Sequence, residues 1–292
     1  MKTAIQFFGK SVMSLFALLT IISFTAFSQN NPAGNQTGAL AYNYPVNKPV
    51  KYRTTTKVVQ DMDVNGQSMQ NNINSYIGLT LKSLGAAGSN FKIEVTIDTM
   101  AQTTDTPAGF NGGAIPGIAG KVYNIIISPD GKVIDNSEAK NITYAAGAGG
   151  TGDAVQITDN FFPVLPAGNL KSGYTWTTND SINSTTSLTT TRGTVKSDNT
   201  FEGFELLNGV SCAKITSVIS GTRILRTQSQ GMDIKMSGPY TGSITSFFAP
   251  STGYFMKQEV SQKLTGTIDI TAPDAMSFPL VMDITAIKEV IN

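Results

Sequence analysis

The stretch Phe91-Lys92-Ile93-Glu94-Val95-Thr96-Ile97-Asp98 decides the fold of this 292-residue chain. Its apolar side chains occupy every odd position and its polar side chains every even position, which is the period of a β-strand with one buried and one wet face. A helix would distribute the same residues around its circumference. The stretch therefore predicts a sheet that buries one face and exposes the other.

The same alternation returns near the C-terminus. Polar outer positions there are Lys257, Glu259, Ser261 and Lys263, and the predicted inner positions are Tyr254, Met256, Val260 and Leu264. Gln258 and Gln262 break the apolar pattern on the inner side. Both segments therefore predict strands with one buried and one exposed face.

Turn signals separate the strand patterns. Ser128-Pro129-Asp130-Gly131 and Asn208-Gly209 have the residue types of tight turns between strands. Gly238-Pro239 and Ser251-Thr252-Gly253 predict two further reversals. The spacing predicts a mainly β protein with about ten strands in one large curved antiparallel sheet, a half-barrel or open barrel.

Helical signal is limited to one short segment. Residues 153–161 predict a short helix after a flexible stretch at 145–152, and Phe162-Pro163-Val164-Leu165-Pro166 predicts an extended apolar crossing segment. Residues 107–120 are glycine-rich yet apolar, which predicts an irregular loop that covers a sheet end. A flap that gates a ligand is the alternative.

The N-terminus predicts export. Lys2 and Lys10 supply positive charge ahead of an apolar run at 12–27, and Ala26-Phe27-Ser28 has the small-x-small pattern of a cleavage site. Residues 1–28 are therefore predicted to be a signal peptide. No cysteine lies near the predicted cleavage point, which argues against a lipid anchor. We expect a flexible lead-in at 29–49, a single antiparallel β domain at 50–292, and a periplasmic or secreted product with no membrane segment in the mature chain.

Charge and residue content exclude several functions. Removing residues 1–28 takes away two of the 21 Lys and Arg side chains and none of the 20 acidic ones, so the mature net charge is about −1 and nucleic-acid binding is disfavoured. The chain has no histidine, which removes the common catalytic triads and imidazole metal sites. The single cysteine, Cys212, is read as a small core residue.

No cofactor or metal is expected. Asp61-Met62-Asp63-Val64-Asn65-Gly66 matches the opening of a calcium loop, but the twelfth position is Asn72 where a glutamate is required. A hairpin turn at Asn65-Gly66 explains the residues equally well. The sequence therefore predicts neither a catalytic nor a metal-binding residue.

Nine apolar residues are candidates for binding a hydrophobic ligand, although packing explains each of them too. They are Phe110, Ile115, Ile118, Trp176, Met232, Ile234, Met236, Tyr254 and Met256. Met232, Ile234 and Met236 alternate in sequence and are predicted to share one face of a strand. Deformable methionine side chains suit a site that accepts varied apolar ligands.

Residues 181–194 are rich in Ser and Thr and predict an exposed edge strand or hairpin arm. Asp180-Ser181-Ile182, at the start of this region, resembles sites at which some exported bacterial proteins carry O-linked sugars.

A wider resemblance rests on Leu165-Pro166, Gly173-Tyr174-Thr175-Trp176 and the hairpin sequence Ser251-Thr252-Gly253-Tyr254-Phe255-Met256-Lys257. Over residues 52–291 this arrangement resembles uncharacterised exported bacterial β-proteins. Their architecture is similar to the periplasmic lipoprotein carriers and their mycobacterial lipid-binding relatives. The resemblance implies an antiparallel half-barrel that wraps acyl chains and is closed by short helices.

The sequence predicts a non-enzymatic exported β-protein that binds a lipid or other hydrophobic ligand on the concave face of its sheet. The alternative is a structural or adhesive cell-envelope protein that acts on an envelope partner through its Thr-rich outer surface. An enzyme would need a buried, close pair of carboxylates brought together by folding.

Overall fold

A computed structural model describes residues 39–291 except 65, 108, 147–149, 169, 186–188, 230–231 and 273–274. The predicted signal peptide and residues 29–38 of the expected lead-in lie outside the described residues.

The described chain is mainly β. Its strands are β1 (Pro49–Val64), β2 (Gln67–Ala87), β3 (Asn90–Thr106), β4 (Gly109–Ala114), β5 (Val122–Ile127), β6 (Val133–Asp135), β7 (Thr143–Ala146), β8 (Gly150–Asp153), β9 (Tyr174–Thr185), β10 (Thr189–Leu207), β11 (Val210–Ser229), β12 (Met232–Ala249), β13 (Tyr254–Ala272) and β14 (Met276–Ile291). A 3-10 helix spans Ser137–Asn141, and α1 spans Val155–Thr158.

Twelve strands form one antiparallel sheet in the order β6-β5-β3-β2-β1-β14-β13-β12-β11-β10-β9, with β4 paired to β3. β7 and β8 form a separate hairpin. The prediction of a large antiparallel sheet is confirmed, and the expected count of about ten strands was low.

The expectation of a strongly curved half-barrel is corrected, because the sheet is neither closed nor strongly curled. A barrel requires its two edge strands to pair along their length. Here β6, which has only three residues, and β9 are the opposite ends of the hydrogen-bonded order.

Three predicted turns are confirmed. Asn208 and Gly209 have φ angles of 52° and 80° between β10 and β11, as a two-residue hairpin of the primed type requires. The Gly131 amide donates to the Ser128 carbonyl at 2.9 Å. The Gly253 amide donates to the Ala249 carbonyl at 2.9 Å between β12 and β13.

The predicted reversal at Gly238-Pro239 is wrong, because both residues lie inside β12. Pro239 is opposite Thr222 of β11, whereas the recorded pairs between β12 and β13 pass from Ser237 directly to Tyr240. Proline has no amide hydrogen to donate, so the strand continues with a local gap in its pairing with β13.

Two apolar cores lie on one face of the sheet, here called the inner face. In β1 the alternate residues Val50 and Tyr52 belong to the first core, and Val58 and Met62 belong to the second. The first core includes Tyr42, Tyr44, Tyr52, Leu79, Ile93, Ile125, Phe161, Phe162, Phe248 and Phe255. The second core includes Val58, Met62, Ile73, Ile219, Leu225, Met232, Ile234, Met236, Leu264, Ile268, Leu280, Met282 and Ile284.

The segment before β1 differs from the expected flexible lead-in to residue 49. Leu40, Tyr42 and Tyr44 are buried in the first core. Residues 162–166 also contribute to this core through Phe162 and Leu165, while forming no helix or strand. The two segments supply aromatic side chains that complete the core at one end of the sheet.

Local structure also differs from expectation in two loops. The predicted helix at 153–161 is reduced to the single turn of α1, preceded by the β7–β8 hairpin where a flexible stretch was expected. The glycine-rich segment at 107–120 contains β4, which pairs with the end of β3. Pairing with an available strand edge satisfies backbone groups that a free loop would leave to water.

Gly131 provides a test of how the segment before β1 is held. A Cβ atom at Gly131 would lie 2.4 Å from Cε2 of Tyr42, and its φ is +93°. We expect Gly131→Ala to lower the free energy of unfolding by about 2–4 kcal/mol in urea denaturation, through strain and overpacking. The control Gly88→Ala also has positive φ but no neighbour within 4 Å, and should cost about 1 kcal/mol. Equal costs would contradict the packing role of Tyr42.

Candidate functional site

The structure does not gather the nine predicted ligand-binding residues into one site. Met232, Ile234 and Met236 lie together in the second core, so their predicted shared face is confirmed. Ile118 is buried in the first core, against which Ile115, Trp176 and Tyr254 are half-buried. Phe110 is 70% exposed on β4.

Met256 lies on the other face of the sheet, here called the outer face. A register shift pairs Phe248 with Phe255 but Phe247 with Lys257, so Met256 has no partner in the ladder between β12 and β13. Phe255 consequently enters the first core, and Met256 packs with Cys212 and Phe247 in a small separate cluster. A bulge of this kind reverses the phase that simple alternation predicts.

Hydrogen-bonded tyrosines hold the first core. The Tyr52 hydroxyl donates to the Phe255 carbonyl at 2.9 Å and lies 2.9 Å from the Tyr44 hydroxyl, and the Tyr42 hydroxyl donates to the Pro163 carbonyl at 2.8 Å. Burial raises the pKa of all three tyrosines well above the usual value, so they stay neutral. This end of the sheet is a densely packed aromatic core.

Lys288 of β14 is hydrogen-bonded to the segment that follows α1. Its Nζ donates to the carbonyls of Asn160 and Phe161 at 2.9 and 3.0 Å and lies 5.3 Å from the centroid of the Phe161 ring. The residue is only 6% exposed, and burial lowers the pKa of its ammonium group to about 7.

The second core is built by the sheet alone. Each of its members among the described residues belongs to one of the strands β1, β2 and β9–β14. Four buried methionines contribute to it, with Met276 packed at its margin: Met62, Met232, Met236 and Met282. Their unbranched thioether side chains adapt to their surroundings more easily than branched side chains do.

Buried polar side chains interrupt the inner face. Gln60 and Asn71 are directly opposite each other on β1 and β2 and are at most 1% exposed. Within the described residues, Gln60 Oε1, both side-chain polar atoms of Asn71, Gln258 Oε1, Gln262 Oε1 and Thr178 Oγ1 have no hydrogen-bond partner. Each such atom costs about 1–3 kcal/mol of stability when it is buried without a hydrogen bond. Within the described residues, no hydrogen bond offsets this cost.

The sequence pattern marks Gln258 and Gln262 as polar exceptions on the inner face, whereas Gln60, Asn71 and Arg223 were not predicted to lie there. Strand phase could have found them. Gln60 lies between Val58 and Met62, and Arg223 lies two residues before Leu225, so each shares the phase of the second core. Strand phase does not show whether these polar groups have hydrogen-bond partners, because those partners come from other strands.

A shallow groove of about 400 Å³ crosses the outer face of β14, β1, β2 and β3. Two transverse rows of residues line it, with Thr56, Ser75, Gln102 and Ala286 between them. The rows are Ile287-Thr55-Tyr76-Ala101 and Thr285-Lys57-Asn74-Thr103. Hydroxyl, amide and ammonium groups therefore surround one aromatic ring.

The calcium-like stretch forms a hairpin turn. Asp63 Oδ1 accepts a hydrogen bond from the Gly66 amide at 2.7 Å, and Val64 pairs with Gln67. In the part of the chain that the structure describes, no three His, Cys, Asp or Glu side chains are grouped where they could hold a metal.

The Thr-rich region forms the edge strand β9 and the start of β10, as predicted, except for residues 186–188, which lie outside the described set. Ser181 is exposed on β9, whereas Ile182 is 2% exposed in the second core. Glycosylation at Asp180-Ser181-Ile182 stays a prediction.

Across the described residues, no helix is both long enough and apolar enough to span a membrane.

No protein-family model matches the chain, and no curated protein matches it. Among solved structures, the chain is similar to DynF from the dynemicin biosynthesis pathway of Micromonospora chersina, with 6% identity, 91% of this chain and 93% of that chain covered, and a TM-score of 0.26. It is also similar to the COG4313 outer membrane channel from Pseudomonas putida F1, with 10% identity, 86% and 97% coverage, and a TM-score of 0.26.

A DUF1329 family protein from Desulfovibrio piger has 11% identity, with 80% of this chain and 83% of that chain covered, and a TM-score of 0.14. At these scores the likeness assigns neither a family nor a function. Membership of the half-barrel carrier superfamily stays a prediction.

Lys288 makes stability depend on pH. Its pKa is about 7 in the folded protein against 10.5 for the ordinary side chain, so the unfolded chain binds more protons between these values. The free energy of unfolding should therefore rise between about pH 7 and pH 9, by at most ~1.4 kcal/mol per pH unit from this group. Denaturant titrations should show a flatter profile for Lys288→Met.

The control for this measurement is Lys140→Met, which removes an exposed ammonium group and should retain the wild-type profile. A Lys288→Met profile as steep as that of the wild type would show that another group causes the pH dependence.

Proposed function

We propose that this is a non-enzymatic exported protein that binds a hydrophobic or amphiphilic ligand on the inner face of its sheet, at the second core. The observation that carries the proposal is a methionine-rich apolar surface that also contains buried polar atoms with no partner in the described chain. Periplasmic or secreted location, without a lipid anchor, follows from the predicted signal peptide and belongs to the same proposal.

The methionines favour an apolar ligand. Met232 and Met236 lie beside Ile234 on β12, and Met236 is opposite Ile268 of β13. A thioether chain can change rotamer to admit an acyl chain or a ring at lower cost than a branched side chain. Met232, Ile234 and Met236 are at most 7% exposed, so the ligand would enter the second core by displacing side chains that pack there.

The polar atoms favour a ligand that is not purely apolar. Gln60, Asn71 and Gln262 lie in the same strand phase as the second core, and a hydrocarbon could not satisfy their unpaired atoms. An amphiphile with hydroxyl, ester or acid oxygens could do so. The preferred ligand class is therefore a lipid-like molecule with a polar group.

The neutral fluorescent probe N-phenyl-1-naphthylamine tests the site. We expect the wild-type protein to bind it with enhanced emission, and Met236→Trp to weaken binding about fivefold or more, because the larger side chain fills the space. Met236→Leu, which preserves volume, should retain binding. Fluorescence titration gives the affinities.

The matched control is Ser243→Trp, which places the same side chain at an exposed outer position of β12. Equal probe binding by Met236→Trp and Ser243→Trp would place the site elsewhere. Absence of binding by the wild type, together with no ligand in native mass spectra of protein from its own host, would contradict the proposal.

A second candidate function is adhesion to an envelope glycan, and the groove on the outer face favours it. Tyr76 offers an aromatic surface for a sugar ring, beside the amide of Asn74 and the hydroxyls of Thr55, Thr103 and Thr285. The four strands crossed by the groove span roughly 14 Å, which is enough for several sugar units.

Glycan binding is tested with chito-tetraose by isothermal titration calorimetry. If the groove is the site, Tyr76→Ala should weaken binding about fivefold through loss of the stacking surface. Thr194→Ala, at an exposed position of the Thr-rich region, should leave binding unchanged. The reverse result would move adhesion to that region, and no binding by the wild type would remove this candidate for chitin-type glycans.

A further inference from the structure

Arg223 is the one arginine of the described chain that is buried on the inner face. It lies on β11 in the phase of Ile219 and Leu225, and it is 7% exposed. Its neighbours in register are Gly193 on β10 and Gly238 on β12. No side chain is therefore present at either flanking position.

The contacts of Arg223 leave part of its guanidinium group unsatisfied. The group lies 4.9 Å from the centroid of the Tyr240 ring, whose hydroxyl donates to the Thr194 carbonyl at 3.3 Å. Within the described residues, Arg223 Nε has no hydrogen-bond partner. Burial lowers the pKa of the guanidinium group, opposed by Tyr240, but an arginine stays charged.

No acidic side chain of the described chain is paired with this charge. The ion pairs of the described chain are formed by other residues, whose side chains are partly exposed. The inner-face carboxylate nearest in register, Asp180, lies on β9, two strands away from β11. A buried charge without an opposite charge is strongly destabilising.

We infer that Arg223 binds the anionic oxygen group, a carboxylate or a phosphate, of an amphiphilic ligand whose apolar part lies on the second core. The planar fork of the guanidinium group matches two oxygens of either group. Backbone of the neighbouring strands fills the space at both glycines, where a Cβ atom would lie 2.0 Å from the Thr222 carbonyl oxygen or 2.3 Å from that of Thr265. The head group would therefore reach Arg223 from the side of the second core, where the methionines provide the apolar contact. This inference rests on the proposed function and adds the charge of the ligand to it.

The experiment compares three probes of equal chain length: hexadecanoate, hexadecyl phosphate and hexadecanol. The mature protein is freed of co-purifying molecules by unfolding and refolding, and each probe is titrated by calorimetry below its critical micelle concentration. We expect at least one anion to bind about 10- to 100-fold more tightly than the alcohol. The preferred anion distinguishes a carboxylate from a phosphate head group.

Two substitutions on β11 test whether Arg223 causes the preference for anions over the alcohol. Arg223→Met retains apolar volume and should remove the advantage of the anion while leaving hexadecanol binding unchanged. Arg226→Met removes an exposed charge from the outer face of β11 and should change neither. Arg223→Lys, which retains charge without the fork, should lie between wild type and Arg223→Met.

A stability measurement separates a binding role from a structural role. Without ligand, Arg223→Met should unfold at the same temperature as the wild type or at a higher one, because it removes an unpaired buried charge. A marked loss of thermal stability would assign Arg223 to the fold and overturn the inference.

The outcomes also separate the inference from the proposed function. Equal binding of the alcohol and both anions would overturn the role of Arg223 while preserving the hydrophobic site. Binding of no probe would contradict the proposed function itself. An anion preference that survives in Arg223→Met would place the anionic group at another residue.

Discussion

The pairing of β1 with β14 is the constraint on which the whole sheet depends. β1 joins β2, β3, β5 and β6 to the strands β9–β14, and the ladder runs from Lys51 opposite Ile291 to Met62 opposite Leu280. The ion pair between Arg53 and Glu289 links the same two strands. Both cores draw residues from both sides of this ladder, so a shift of one residue here would turn the inner face outward in half of the molecule.

Local sequence was sufficient wherever one period or one turn controlled the structure. The alternation at 91–98 became β3, and Asn208-Gly209 became the hairpin between β10 and β11. Prediction was wrong where tertiary contacts overrode local signals. Pro239 continues a strand that pairs with β11 at Thr222. Tyr42 fixes a segment of polar sequence through hydrogen bonds from its amide and its hydroxyl and through three aromatic contacts.

The site was predictable only in part, for two physical reasons. Strand phase placed Met232, Ile234 and Met236 together, but the bulge beside Phe247 sent Met256 to the opposite face. The unpaired atoms of Gln60, Asn71 and Arg223 depend on which groups strands far apart in sequence bring near, and such partners leave no mark in a single sequence. Gln258 and Gln262, together with the strand phase of Gln60 and Arg223, are the features of the sequence that indicate an inner face that is not uniformly apolar.

The position of β14 has a consequence for how the molecule is made. The last strand lies between β1 and β13, so the first strand lacks one neighbour until the final residues of the chain are available. Contacts of such long sequence separation form slowly, and long strands with open edges invite aggregation in the meantime. Folding that begins only after β14 has been synthesised avoids that interval. The topology therefore favours assembly of the sheet after residues 276–291 are available over stepwise folding during synthesis.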